Sequence, residues 1–108
     1  MTVAQLKDAL ALTEFFLPEP DRDVEGGYAG DLLSWVMGRA APGCAWMTVM
    51  SNANVCAVAV MADISCVILT EGVTPDEDLL ARCKTQGVNL LGTGSNTFEI
   101  AARLKQLL

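Results

Sequence analysis

AWMTVMSNANVCAVAVMADISCVIL, residues 45–69, is the stretch that decides the fold. Its two ends, Ala45–Met50 and Ser65–Leu69, are apolar runs of strand length without polar alternation, the pattern of strands buried on both faces. The middle, Val55–Ala62, is continuously apolar as well, and its composition alone suits either a strand or a buried helix. Geometry favours the helix. Two parallel strands need a crossover of about a dozen residues, and Asn52 to Asp63 supplies that length in an alanine-rich sequence. Residues 45–69 therefore read as strand, helix, strand.

The pattern continues toward the C-terminus. Thr74-Pro75-Asp76-Glu77 reads as a cap, a proline at the first helical position and an acidic first turn, with Arg82, Lys84 and Gly87 closing that helix. Val88–Leu91 is a shorter strand. Asn96-x-x-Glu99 opens a last helix whose Ile100, Ala101, Leu104, Leu107 and Leu108 form an apolar face. Strand and helix thus alternate three times, which implies a parallel sheet with right-handed crossovers. Toward the N-terminus, Thr2-x-x-Gln5 is a capping box ahead of the stripe Val3, Leu6, Ala9 and Leu10. Leu12–Leu17 and Val24–Ala29 flank the turn-rich residues 18–23 and add edge strands. Asp31 is expected to cap a short helix over Leu32–Met37, which Gly38 closes. There is no internal repeat, low-complexity stretch or linker. Residues 1–108 read as one α/β domain, a three-layer-like arrangement with a mostly parallel sheet flanked by helices.

Composition narrows the function classes. With 52% hydrophobic residues the chain builds a core without staples, and its charged fraction of 19% is thin. A chain this short and apolar often covers part of its surface with a second copy of itself. A net charge of -6 argues against nucleic acid. The close basic pairs, Arg82/Lys84 and Arg103/Lys105, sit near helix ends and suit the helix dipole better than a phosphate track. The absence of histidine removes the commonest general base, the imidazole triads and most zinc sites. Cys44, Cys56, Cys66 and Cys83 lie in apolar runs at spacings unlike a zinc knuckle or Cys-x-x-Cys, so they read as small hydrophobes. No metal or cofactor is expected. The first residues are polar and helical, and no apolar run approaches the roughly 20 residues that span a bilayer. The expected location is cytoplasmic, away from membranes.

Candidate chemistry gathers where open parallel sheets bind ligands, beyond the carboxyl ends of the strands. Those ends are Ser51-Asn52-Ala53-Asn54, Thr70-Glu71-Gly72 and Thr93-Gly94-Ser95-Asn96-Thr97. Small hydroxyl and amide side chains beside helix N-termini suit a small anionic metabolite or nucleotide. The candidate ligand residues are Asn52, Asn54, Thr70, Glu71, Gly72, Thr93, Ser95, Asn96 and Thr97. The same residue types are what strand-to-helix turns and caps require, so a purely structural reading stands beside the functional one. Glu71 and Asp31 are the carboxylates near this crevice, and they lack a nucleophile, a metal cluster or a positioned cation. No catalytic residue is assigned. Gly26-Gly27 lacks the spacing of a dinucleotide fingerprint and marks close backbone approach or a bulge. Leu32–Met37 has five apolar positions in six, hydrophobic nearly all round. Trp35, with Trp46 and Met50 as neighbours, either anchors another subunit or is sunk between two halves of the domain. The candidate interface residues are Gly26, Gly27, Leu32, Trp35 and Val36.

Residues 21–38, DRDVEGGYAGDLLSWVMG, resemble the DRTGG domain, a family named for a short motif ending in two glycines. Glu25-Gly26-Gly27 matches the end of that motif, and no Asp-Arg-Thr directly precedes the glycines. The similarity extends through Thr70-Glu71-Gly72 to Ser95-Asn96-Thr97-Phe98-Glu99, almost the whole chain. The resemblance implies a fold similar to the N-terminal domain of HPr kinase/phosphorylase. It also implies an accessory or regulatory role, such as the domain has beside CBS domains in some pyrophosphatases, often at subunit contacts and with catalytic residues elsewhere. The expected function is a non-catalytic regulatory or assembly module, homodimeric, sensing a small anionic ligand. The alternative is a protein-interaction subunit that docks to a larger enzyme without a small ligand.

Overall fold

A computed structural model describes all residues, 1–108. The elements run α1 (Val3–Ala9), β1 (Thr13–Phe16), β2 (Gly26–Ala29), α2 (Leu33–Arg39), β3 (Cys44–Thr48), α3 (Asn54–Met61), β4 (Cys66–Leu69), α4 (Glu77–Gln86), β5 (Leu90–Gly92) and α5 (Thr97–Leu107). One five-stranded sheet has the order β1-β5-β4-β3-β2. Strands β2, β3, β4 and β5 are parallel, and β1 joins β5 antiparallel. The two strands of the first half therefore form the two edges, and residues 54–61 are the crossover helix.

Period-two alternation of the central strands builds a core on each face. Cys44 and Trp46 of β3, Val67 and Leu69 of β4 and Leu90 of β5 face α2, α3 and α4. Ala45 and Met47, Cys66 and Ile68, and Leu91 face α1 and α5. Because both faces are covered, these strands show no polar alternation, which is why their runs read as continuously apolar. All four cysteines are buried free thiols in these two cores. Trp46 is fully buried, its Nε1–H donating to the Gly30 carbonyl at 2.8 Å. It is a core residue, packed in the same cluster as Val36 of α2.

The helix ends test the sequence signals one by one. Thr2 and Gln5 form the full capping box of α1, and Asn96 Oδ1 accepts the Glu99 N–H at the start of α5. Gly87 ends α4 in the left-handed region at φ 72°. Helix α4 starts later than the Thr74-Pro75 signal suggests, at Glu77, with Asp76 as its N-cap. The Asp76 carboxylate accepts from Ser51 Oγ at 3.1 Å, and its N–H donates to the Ser51 carbonyl, so a tertiary contact sets the start. Helix α2 departs further. Its N-cap is Leu32, without a side-chain cap, and Gly38 lies inside the helix. Asp31 is engaged elsewhere, with β3. No helix is long and apolar enough to cross a membrane.

Candidate ligand site at the strand ends

At the end of β3, the buried Thr48 hydroxyl donates to Asp31 Oδ1 at 2.8 Å, and the same oxygen accepts the Val49 N–H at 2.9 Å. Thr48 Oγ1 also accepts the Met50 N–H at 3.1 Å. Asp31 thus clamps the exit of β2 onto the exit of β3. Its carboxylate is structural, with a partner 17 residues away.

The exits of β4 and β5 are joined more closely. Thr70, fully buried, shares a 2.7 Å hydrogen bond with the Thr97 hydroxyl. The Glu71 N–H donates to the Ser95 carbonyl at 2.8 Å and the Gly72 N–H to the Thr93 carbonyl at 2.9 Å. Thr93 Oγ1 accepts the Ser95 N–H at 3.1 Å. Glu71 and Gly72 both have left-handed backbone, at φ 61° and 74°. That conformation suits Gly72 and is strained for Glu71. It brings the Glu71 carboxylate to the first N–H of α5, where Oε2 faces Thr97 N at 3.4 Å. A charge of the sign that a helix N-terminus favours already sits there.

The structure therefore brings Thr70, Glu71, Gly72, Thr93, Ser95 and Thr97 together as one bonded cluster, with Asn96 between them in sequence but turned to cap α5. Asn52 and Asn54 stand apart, the Asn52 side chain accepting the Asn54 N–H at 2.9 Å at the start of α3. The cluster offers hydroxyls and backbone amides but no cation. No three His, Cys, Asp or Glu side chains gather in a metal-holding group. The thiols are poor nucleophiles: burial raises Cys44 to about 11 and Cys66 and Cys83 to about 12, and raises Cys56 as well.

Of the interface candidates, Leu32 and Trp35 are 55% and 52% exposed, and the Arg39 guanidinium lies 3.8 Å over the Trp35 ring. Val36 does not belong with them. It is fully buried in the core beneath α2 and α3, because a seven-residue helix on the sheet must turn one apolar position inward. Gly26 and Gly27 lie on the edge strand β2, where α5 approaches: a Cβ on Gly27 would meet Leu104 Cδ2 at 2.9 Å. This is the expected close approach at Gly27, whereas a Cβ on Gly26 would meet nothing within 4 Å. Beside them a hollow of about 460 Å³ runs between β2 and α5. Two features escaped sequence reading: this hollow, whose walls come from distant segments, and Phe98, 83% exposed beside Thr97. An aromatic residue in an amphipathic helix start reads as core until packing shows otherwise.

The family model of the DRTGG domain matches residues 32–107. Comparison with curated proteins finds no match. Among solved structures, the chain is similar to the CBS and DRTGG domains of the regulatory region of Clostridium perfringens pyrophosphatase, solved with its activator diadenosine tetraphosphate. The TM-score is 0.76 at 16% identity, covering 99% of this chain and 47% of that one. The chain thus spans about half the length of the structure it matches.

Proposed function

Because this chain belongs to the DRTGG domain family, we propose that it is a non-catalytic regulatory or assembly module. It works as a homodimer and takes a small anionic metabolite or nucleotide at the strand-end cluster. The observation that carries this reading is the fold match, over 99% of the chain, to a regulatory region solved with a nucleotide activator. The cluster supports it by chemistry. The hydroxyl of Thr97 and the amides at the start of α5 suit a phosphate, and Phe98, exposed beside them, offers a face to a base. The Glu71 carboxylate would yield its place at Thr97 N to the incoming anion.

A thermal-shift screen against nucleotides, phosphorylated metabolites and carboxylates tests the reading. A ligand at 100 times its Kd adds about 2.7 kcal/mol to folding, a rise on the order of 10 °C for a domain of this size. Glu71→Gln removes the competing charge and is expected to tighten binding of a phosphate ligand, whereas Thr97→Val weakens it. A flat response across the panel overturns the ligand half of the reading.

One observation favours a second reading, a protein-interaction subunit that docks to a larger enzyme. The strand-end loops are bonded to one another, while Leu32 and Trp35 stand exposed on α2. On that reading Trp35→Ala abolishes capture of the partner with the fold intact, and unchanged capture rules it out.

A further inference from the structure

We infer that two copies of the chain join through the free edge of β2, the strands running antiparallel across a two-fold axis to make one continuous sheet. This rests on the homodimer part of the reading above and names its surface. The argument begins with the contrast between the two edges of the sheet. An edge strand invites pairing unless charge, proline or a bulge blunts it. Strand β1 is blunted three ways: its register with β5 breaks between Glu14 and Phe16, Lys7 pairs with Glu14 at 3.3 Å, and Pro18 follows shortly. Strand β2 is barer: its one irregularity lies at its start, where the Glu25 N–H donates to the Gly43 carbonyl. Gly26, Gly27, Tyr28 and Ala29 carry no charge, and their register with β3 is unbroken.

The open groups on that edge can be named. In a parallel ladder alternate residues turn both backbone groups to one neighbour. The Gly30 N–H donates to the Met47 carbonyl at 3.1 Å, so with the register of Tyr28 opposite Trp46 Tyr28 also turns toward β3. Gly27 and Ala29 then face outward, and both are exposed. Across a two-fold axis through Tyr28, Gly27 of one copy lies opposite Ala29 of the other, and each pair exchanges two hydrogen bonds. Residues this small let the strands close to the roughly 4.8 Å that pairing requires.

The flank beside the edge fits the same occupant. The 460 Å³ hollow between β2 and α5 is walled by Ala29, Ala101, Leu104 and Leu108, with Glu25 and Lys105 as its charges. Those two cancel in a chain of net charge -6. This flank is therefore where a second acidic copy meets no local excess of its own sign.

Ala29→Pro is the test. It removes an N–H that the fold does not use, a site where an edge strand accepts proline. By sedimentation velocity the wild type is expected at twice 11.5 kDa and the variant at 11.5 kDa, with the circular-dichroism spectrum retained. Ala29→Lys, which leaves the backbone free and puts a charge on the edge, is expected to raise the dimer Kd at least tenfold. Amide exchange at Gly27 and Ala29 in the wild type is expected to slow at least tenfold at concentrations where the dimer forms. A wild type that stays at 11.5 kDa overturns the proposal together with the homodimer reading, leaving the edge to an extended peptide of another protein. A wild-type dimer that both variants preserve overturns the β2 edge alone and moves the interface to the Trp35 face. Neither result bears on ligand binding.

Discussion

Asn89 lies at the entrance of β5, 2% exposed, and its amide answers three backbone groups. Nδ2 donates to the Glu19 carbonyl at 2.8 Å and to the Ser65 carbonyl at 3.0 Å, and Oδ1 accepts the Glu19 N–H at 2.9 Å. One side chain thereby ties the loop after β1 to the start of β4. Asn89→Leu leaves those groups without their partner, and the expected loss is about 2–3 kcal/mol, read from the urea midpoint. Cys66 makes a second prediction. Burial, helped by the neighbouring Cys44, raises its thiol from 9.0 to about 12. The folded state holds this proton where the unfolded chain releases it, so the contribution is complete below pH 9 and is lost as pH rises toward 12. Through that window Cys66 steepens the fall in stability by about 1.4 kcal/mol per pH unit, and Cys66→Ala is expected to make the fall shallower in pH-dependent denaturation. The apolar setting of the cysteines was plain in sequence. The role of Asn89 was not, because its partners lie 70 and 24 residues away. Asp31 misled for the same reason: as a cap it needs only its neighbours, but Thr48 offered a buried hydroxyl.

At the scale of elements, the buried parallel strands and the crossover helix were legible because each must be apolar on the faces it covers. Their boundaries were less so. Helix α4 starts where Ser51 holds Asp76, a contact no local pattern contains. Helix α2 keeps an exposed leucine where a cap belongs. Leu32→Ser supplies the missing acceptor and is expected to stabilise by about 1 kcal/mol, raising Tm by roughly 4 °C. If Leu32 serves an interface, the same change weakens that contact, so calorimetry and association measured on one variant separate the two roles. The β1–β5 pair shows how an edge is held. The Phe15 ring lies over Gly92, where an added Cβ would come 2.5 Å from Cε2. Gly92→Ala must push that ring off the sheet, and a loss of about 1–3 kcal/mol is expected in denaturant unfolding. Of the strand-end residues, those after β4 and β5 were legible as neighbours, while Asn52 and Asn54 lie at the start of α3 instead. Glycine, serine and threonine after parallel strands announce a crevice, whereas the Thr70–Thr97 bond that ties two of its loops together depends on how those loops meet.

Over the whole molecule the deciding quantity is charge against shape. Thirteen acidic and seven basic residues leave each copy at -6, so two copies repel at long range, while in the proposed dimer the β2 edge would draw them together through backbone bonds and an apolar hollow. Sequence supplied the charge and the surplus of apolar residues, but which edge of the sheet is bare follows only from the strand order. The two contributions respond oppositely to salt. Added salt shortens the Debye length from about 30 Å at 0.01 M to about 8 Å at 0.15 M, which screens the repulsion and leaves short backbone bonds nearly untouched. The dimer of the β2 edge is therefore expected to tighten several-fold over that range in sedimentation equilibrium. Lys105→Glu takes each copy from -6 to -8, since a positive charge becomes negative, and puts the second carboxylate beside Glu25. It is expected to weaken the dimer at low salt and to recover most of the loss at high salt. A wild-type dimer that instead loosens as salt rises would rest on ion pairs across the interface, and the backbone edge would not be what holds the copies together.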